Sequence, residues 1–352
     1  MWFKNELTER LKLDWPIFSA AMAPFASPSL AAGVSNAGGL GGLGLTNTTA
    51  EESERRIASF RQQSGRSLNA NFLLWPDLGD LTNSGGNTRV RLQPYYDTNN
   101  LGPVPVPAPP AGGISPAHLE VLRRTKPEVV SFHFGLPDQS LLREVKAFGA
   151  LVFGCATTVA EARALEAGGV DAIIAQGTEA GGHRGTFTEY DYTQQAGLFA
   201  LLPQVIDAVS VPVIAAGGIS DGRTIAAALM LGASAVHIGT AFLRCSEADV
   251  PDAHRAAIRD AADTSTRVTR AVTGKPARMI VNRMVTELSD IEGEAYPFPA
   301  QRYLTKPLGD GGDKDFLPLY AGQSAALARE TNATDLMARL AAETDRCLKR
   351  FS

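Results

Sequence analysis

The chain is poor in cysteine. It has three, Cys155, Cys245 and Cys347, far apart and with no CxxC pair. That spacing excludes a disulfide framework or a zinc knuckle, predicts three structural thiols and no metal, and suits a reducing cytoplasm. No run of Lys and Arg stands out and the formal net charge is −4, which argues against a nucleic-acid partner. No apolar stretch reaches the ~20 residues that a membrane helix needs. Met1–Pro16 mixes charged and apolar residues, unlike a signal peptide. No internal repeat of solenoid length is visible.

What the chain does have is length and glycine, 34 among 352 residues and clustered. The length suits a barrel of about 250 residues with added segments. The dominant rhythm is a short apolar run, a glycine or polar turn, then an Ala/Leu-rich helical stretch. Strands are expected at Ile17–Ala20, Leu40–Leu45, Leu68–Leu73, Val129–Phe134, Leu151–Phe153, Ala172–Ala175, Val213–Ala216 and Ala235–Ile238. Between them, Ser29–Asn36, Ala50–Gln62, Gln139–Phe148, Val159–Ala167, Leu201–Val209 and Asp221–Leu231 read as helices. Alternating strands and helices imply a parallel sheet, and apolar runs without strict alternation imply strands buried on both faces. The α/β class with a TIM-like (β/α)8 barrel explains the strand count better than an open sheet.

Two stretches break the rhythm. Residues 75–115 carry Tyr95-Tyr96 and the proline-rich run Pro103–Pro110, and read as an excursion loop after the third strand. Residues 241–352 read as a C-terminal extension, with a helix near Ala253–Thr264, an irregular piece through Pro297 and Pro307, and a last helix from Gln323 to Lys349 whose Leu336, Leu340 and Cys347 share one face. The division expected is therefore a barrel over 1–240 and an extension over 241–352 that packs on it.

Glycines mark the chemistry. Gly39-Leu40-Gly41-Gly42-Leu43-Gly44 matches GxGxxG, but a helix precedes it and the glycines lie within a strand, so it reads as a tightly packed barrel strand. Gly217-Gly218 ends the seventh strand just before a helix, where backbone N–H groups and the helix dipole attract an anion. Gly239-Thr240 ends the eighth strand. Barrels commonly hold phosphate after these two strands. The loop after the sixth strand, Gln176 to Gly185, gathers an amide, Glu179, His183 and Arg184 among the glycines Gly177, Gly181, Gly182 and Gly185. His183 is the expected proton-transfer group. Gln176 is placed to bond a ring edge, and Glu179 to orient the loop; Arg184 is compatible with an exposed charge. Ala21-Met22-Ala23 offers small residues and a soft apolar contact after the first strand. Asn71 and His133 are polar residues at strand ends near the mouth, with Asn69 a weaker competitor of Asn71. His118 and His254 read as helix-surface residues.

Several of these segments together resemble the nitronate monooxygenase family, formerly called 2-nitropropane dioxygenases. They are the first-strand segment, Ser35-Asn36-Ala37-Gly38-Gly39, the EAGGHRG loop at 179–185, AAGGISDGR at 215–223 and GTAF at 239–242. Val130-Ser131-Phe132-His133-Phe134-Gly135 and Leu319-Tyr320-Ala321-Gly322-Gln323-Ser324 are similar to its class I branch. The resemblance spans residues 15 to 325; the EAGGH loop alone also occurs in flavin-dependent enoyl-acyl-carrier-protein reductases. It implies non-covalent FMN, with contacts on Ala21, Met22, Ala23, Asn71, His133, Gln176, Gly181, Gly182, Gly217, Gly218, His237, Gly239 and Thr240. His183 is then the active-site histidine, and Tyr96, Tyr296, Tyr303 and Lys306 line the substrate cavity. His237 departs from the Gln- or Asn-like residue expected at the eighth strand.

The reaction the resemblance implies joins an alkyl nitronate, propionate-3-nitronate being one example, with O2 to give a carbonyl compound and nitrite. The nitronate gives one electron to the flavin, and no NAD(P)H is consumed. His183 either holds the nitro oxygens or removes a proton from a neutral nitroalkane. Two other readings stay open: an NAD(P)H-dependent enoyl-thioester reductase, and a non-catalytic flavin-binding protein. The oligomeric state is open too, with a homodimer among the options.

Overall fold

The computed structural model describes residues 2–108, 112–188, 191, 194–310 and 314–350. Eight parallel strands carry the fold: β1 (Ile17–Ser19), β2 (Gly41–Gly44), β3 (Leu68–Leu73), β4 (Val129–His133), β5 (Leu151–Ala156), β6 (Ala172–Gln176), β8 (Val213–Ala216) and β9 (Ala235–Ile238), with the short β7 (Gly182–His183) outside their sheet. Their order is β1-β9-β8-β6-β5-β4-β3-β2. A parallel bridge between Phe18 and Leu40 joins the two edges, with Ser19 N donating to Leu40 O at 2.9 Å, and makes the sheet a barrel. All eight strands were anticipated, three of them to the residue and the rest to within three residues at their ends.

Side-chain alternation divides each strand. Ile17, Leu43, Ala70, Phe72, Val130, Phe132, Ile173, Ala175, Ala215 and Val236 face the helices. Phe18, Leu40, Val129, Phe153, Cys155, Ile174, Ile214 and Ala235 fill the interior. Helix α1 (Glu6–Arg10) closes the N-terminal end, inserting Leu7 and then Leu11 into that interior core. The GxGxxG match is strand β2, and its glycines are needed for packing: a Cβ at Gly41 would lie 2.1 Å from the Ala31 carbonyl.

The helices α2 (Pro28–Asn36), α3 (Ala50–Gln63), α6 (Gln139–Ala147), α7 (Val159–Ala167), α8 (Leu198–Ile206) and α9 (Gly222–Met230) follow the predicted rhythm. Two are additions. Residues 75–115 are not merely a loop, for they contain α4 (Thr88–Thr98). Its apolar repeat is short, Leu92 and Tyr96 alone being buried apolar side chains, and Pro94 lies inside it. The last two prolines of the 103–110 run lie outside the described residues. Helix α5 (Pro116–Thr125) starts at Ser115, whose hydroxyl accepts from His118 N. His118 is buried, not on the helix surface: Ser115 N donates to its Nδ1, and its Nε2 lies 3.0 Å from Thr48 O.

The extension is also more ordered than expected. After α10 (Asp252–Arg259) come the antiparallel strands β10 (Thr266–Thr269) and β11 (Ala277–Ile280), then α11 (Arg283–Glu287) and α12 (Ala300–Asp310). Met279, Met284, Tyr296 and Leu304 form a second core with Leu92 and Tyr96 of α4. His254, expected on a surface, is 1% exposed, with its Nε2 2.9 Å from Tyr320 O. The last helix, α13 (Ala333–Leu348), begins ten residues later than predicted, because Asn332 caps it by accepting from Asp335 N. It packs on α9 and α2, the place of an eighth barrel helix, and buries Leu336 and Leu340.

Candidate active site

The interior of the barrel changes character toward the C-terminal ends of its strands. Below are Phe18, Val129 and Ile174; the last inward positions are Asn71, His133, Gln176 and His237. The period of two that sends Ala172 and Ile174 inward also sends Gln176 inward, and Ala235 brings His237 with it. Asn71 Nδ2 donates to Ser131 Oγ at 2.9 Å and lies 3.0 Å from His133 Nδ1. His237 Nε2 is buried with no hydrogen-bond partner among the described residues, as is Asn69 Oδ1.

His183 does not ride on a free loop. It lies on β7, which pairs antiparallel with β11, His183 facing Ala277. Gln176 clamps this segment: its Nε2 donates to His183 O at 3.1 Å and its Oε1 accepts from Gly185 N at 2.8 Å. Arg184 is fully buried, not a surface charge, and its guanidinium donates to the carbonyls of Gly177 and Gln176. Glu179 accepts from Leu198 N at the start of α8, the orienting role expected of it. A buried carboxylate not singled out in the sequence, Glu161 of α7, accepts from Phe187 N and Thr186 Oγ1 just beyond.

The glycine sites join this segment. The Gly217-Gly218 turn has φ values of +111° and +69°, which favour glycine. Gly218 faces Glu179, a Cβ there meeting the Glu179 Cβ at 3.4 Å. The N–H groups of Gly217, Gly218 and Ile219 donate to no other described residue. Thr240 Oγ1 accepts from Gly322 N at 2.9 Å, and Gly322 packs on Gly181 so closely that a Cβ at Gly181 would lie 2.5 Å from its nitrogen. Gly239 lies beside Met22, a Cβ there meeting its sulfur at 3.5 Å; Gly44 approaches Ala23, and Gly42 approaches Ala21. The sequence-predicted set from Ala21 to Thr240 is thus connected around one mouth, with His183 at its edge.

Four groups surround the His183 ring: Phe298 at 5.0 Å, Tyr320 at 5.5 Å, Phe134 at 6.1 Å between centroids, and the Thr273 hydroxyl at 3.1 Å from Nε2. Lys275 Nζ sits 4.3 Å from the centre of the Phe134 ring, a cation–π contact. Burial, then the charges of Lys275 and Arg302, push the His183 pKa down to about 3. Burial takes His133 to about 4 and, with His133 beside it, His237 to about 3. All three imidazoles are therefore neutral near pH 7, and the positive charge at the mouth comes from Lys275 and Arg302. Arg302 Nη1 is buried without a hydrogen-bond partner among the described residues.

A family model for nitronate monooxygenase matches residues 4–343. The chain belongs to the nitronate monooxygenase family. A probable nitronate monooxygenase of Staphylococcus aureus (strain Newman) is 37% identical over 345 residues, 97% of each chain. Among solved structures, the nitroalkane oxidase from Streptomyces ansochromogenes superposes with a TM-score of 0.91 at 39% identity, over 99% of this chain and all of that one. FabK from Thermotoga maritima superposes with a TM-score of 0.76 at 29% identity, over 99% of this chain and 98% of its own. As a nitronate monooxygenase family member the chain is an oxidoreductase on a TIM-like barrel. No helix among the described residues is long and apolar enough to cross a membrane.

The four side chains expected to line a substrate cavity are placed differently from one another. Tyr96 and Tyr296 are 3% and 1% exposed in the second core, where Tyr96 donates to Leu304 O at 2.8 Å. Tyr303 is exposed on α12, and Lys306 pairs with Asp310 at the surface. None of the four makes a ring contact or hydrogen bond with His183 among the described residues. The groups that do, with the cations Lys275 and Arg302, come mostly from residues 273–320. Their sequence signal was slight: a Thr-Gly-Lys-Pro turn, and an arginine directly before Tyr303.

Proposed function

We propose that this family member binds FMN at the C-terminal mouth of its barrel and oxidises alkyl nitronates with O2 to a carbonyl compound and nitrite. One observation carries the reading: the Gly217-Gly218 turn packs on Glu179, whose own segment runs on through Gly181, against Gly322, to His183 on β7, held by β11. The three unpartnered N–H groups of that turn suit a phosphate. The orphaned His237 Nε2, with Asn71 and His133 beside it, suits the polar edge of a ring system. Gln176 has spent one N–H and its oxygen on this segment, so its part is to fix His183 and Gly185. Ala21, Met22, Ala23, Gly239 and Thr240 complete the cradle.

FMN held there supplies an acceptor for one electron from the nitronate. The chain's own residues do the remaining work. Lys275 and Arg302 offset the negative charge of the nitronate, which three neutral histidines cannot do. Two cations suit a nitronate that also bears a carboxylate, such as propionate-3-nitronate. Phe134, Phe298 and Tyr320 pack around the His183 ring and hold its orientation. In this reading the division expected near Thr240 is functional: residues 1–240 grip the cofactor, and residues 241–352 supply the substrate-side charges.

The decisive experiment is a spectrum of the purified protein followed by anaerobic mixing. We expect flavin absorption that a nitronate bleaches and NADPH does not. Rapid bleaching by NADPH with turnover of an enoyl thioester would replace the proposal with the reductase reading; a flavin reduced by neither would leave a binding protein.

Lys275 gives a second test. Burial lowers its pKa to about 8. It is charged below that value and neutral above it, so affinity for the anion is present at pH 7 and fades as pH rises through about 8. The KM for a nitronate should rise over that window. Lys275→Met should raise KM at pH 7 by about tenfold, change kcat less, and abolish the alkaline rise. An unaltered KM profile in the variant would remove Lys275 from the site.

A further inference from the structure

Thr273 decides which nitrogen of His183 carries the proton. Its Oγ1 lies 3.1 Å from His183 Nε2 and 3.0 Å from the carbonyl oxygen of Lys275. A carbonyl oxygen only accepts, and a hydroxyl has one proton to give. Both contacts are satisfied together only if Thr273 donates to Lys275 O and accepts from an Nε2–H. The threonine is fully buried in the turn between β10 and β11, and β11 is the strand that holds His183. The hydroxyl therefore cannot swing to solvent for another partner. His183 Nδ1 makes no hydrogen bond among the described residues, and the ring is neutral. The result is a bare lone pair on Nδ1.

We infer that Thr273 is a positioning residue that locks His183 as the Nε2–H tautomer, so that Nδ1 takes the proton next to the nitro group of a neutral nitroalkane. This rests on the function proposed above and extends it to a second substrate form. In the step, the Cα–H bond breaks and its electron pair becomes the C=N bond of the nitronate. The N=O pair moves onto oxygen, and the proton passes to Nδ1. Lys275 and Arg302 face the new anion, which then follows the nitronate route. A preformed nitronate needs no such step, and a bare Nδ1 cannot donate to its oxygens.

The two substrate forms should therefore separate. In the holoenzyme, Thr273→Val should lower kcat/KM for nitroethane by about 100-fold while changing that for ethyl nitronate by less than about threefold. Thr273→Ser, which keeps the hydroxyl, should restore nitroethane turnover. Nitrogen-15 NMR of the wild-type imidazole should show Nε2 protonated and Nδ1 not, and the valine variant should lose that preference. A wild-type protein that consumes ethyl nitronate but not nitroethane, equal losses on both substrates, or a protonated Nδ1 would each overturn the inference. Inactivity of the wild type on ethyl nitronate would instead sink the functional reading, and the NMR signature would still decide the tautomer. If the valine variant fails to fold, the serine variant and the wild-type spectrum carry the test.

Discussion

Replacing His183 with asparagine is expected to leave the flavin spectrum intact and to cut turnover of a neutral nitroalkane by about 10²- to 10⁴-fold, the usual worth of a positioned base. On the proposed binding mode the flavin should stay, because backbone and Asn71, His133 and His237 would hold it, while the backbone of residue 183 remains held by Gln176 and β11. Asparagine keeps the polarity and about the size of imidazole but has no basic lone pair near neutral pH. Loss on a preformed nitronate should be smaller, about tenfold, from the disturbed packing of Phe134, Phe298 and Tyr320. The pH profile adds a sign. A base must be unprotonated, and burial with Lys275 and Arg302 nearby lowers the His183 pKa to about 3. Wild-type kcat/KM for the nitroalkane should therefore show no acid limb near the unperturbed histidine value of about 6.5. Nitrite release from nitroethane unchanged in the variant would remove His183 from the chemistry.

The sequence made some parts of this site legible because they are written in strand periodicity. His133 and Gln176 end their strands, and Asn71 and His237 lie within two residues of the ends of theirs; a period of two brings all four to one mouth. The turn at the glycine pair 217–218 was legible because a strand end and a helix start flank two glycines, which take the positive φ values it needs. Arg184 was misjudged for a physical reason: a charge beside three glycines looks solvated, yet it folds under the loop to satisfy two carbonyls. His118 and His254 were misjudged because a side chain that caps a helix or bonds a distant carbonyl leaves no pattern along its own helix. Thr273 and Lys275 were missed because only the pairing of β11 with β7 brings them near, and Arg302 because it arrives on α12, both over separations that no local signal spans. The beginning of α13 was set by Asn332, a cap whose signal was overrun by the Ala-rich residues before it.

Glu161 was not singled out in the sequence, and its substitution should be the most costly to stability. Its buried carboxylate accepts from Thr157 N and Oγ1, Thr186 Oγ1, Phe187 N, and Thr188 N and Oγ1, all within 3.1 Å. These bonds tie the residues that follow His183 to the start of α7. Burial alone would raise its pKa; the hydrogen bonds outweigh burial and hold it below the usual carboxylate range. The sign follows: a lowered pKa adds stability above the unfolded-state value, and that stability is lost as pH falls through the folded one. In Glu161→Gln the amide keeps one oxygen but turns an NH2 toward donors, leaving part of the set unsatisfied. We expect a loss of about 3–5 kcal/mol, read as a lower urea midpoint. We also expect a shallower fall of stability on the acid side, because one titrating carboxylate is gone. With Thr186–Thr188 released, the strand that pins His183 should fray, so hydrogen exchange should quicken at Arg184 and Gly185 before it does in β5 or β6. Equal urea midpoints for variant and wild type would mean that the six contacts do not act as one anchor.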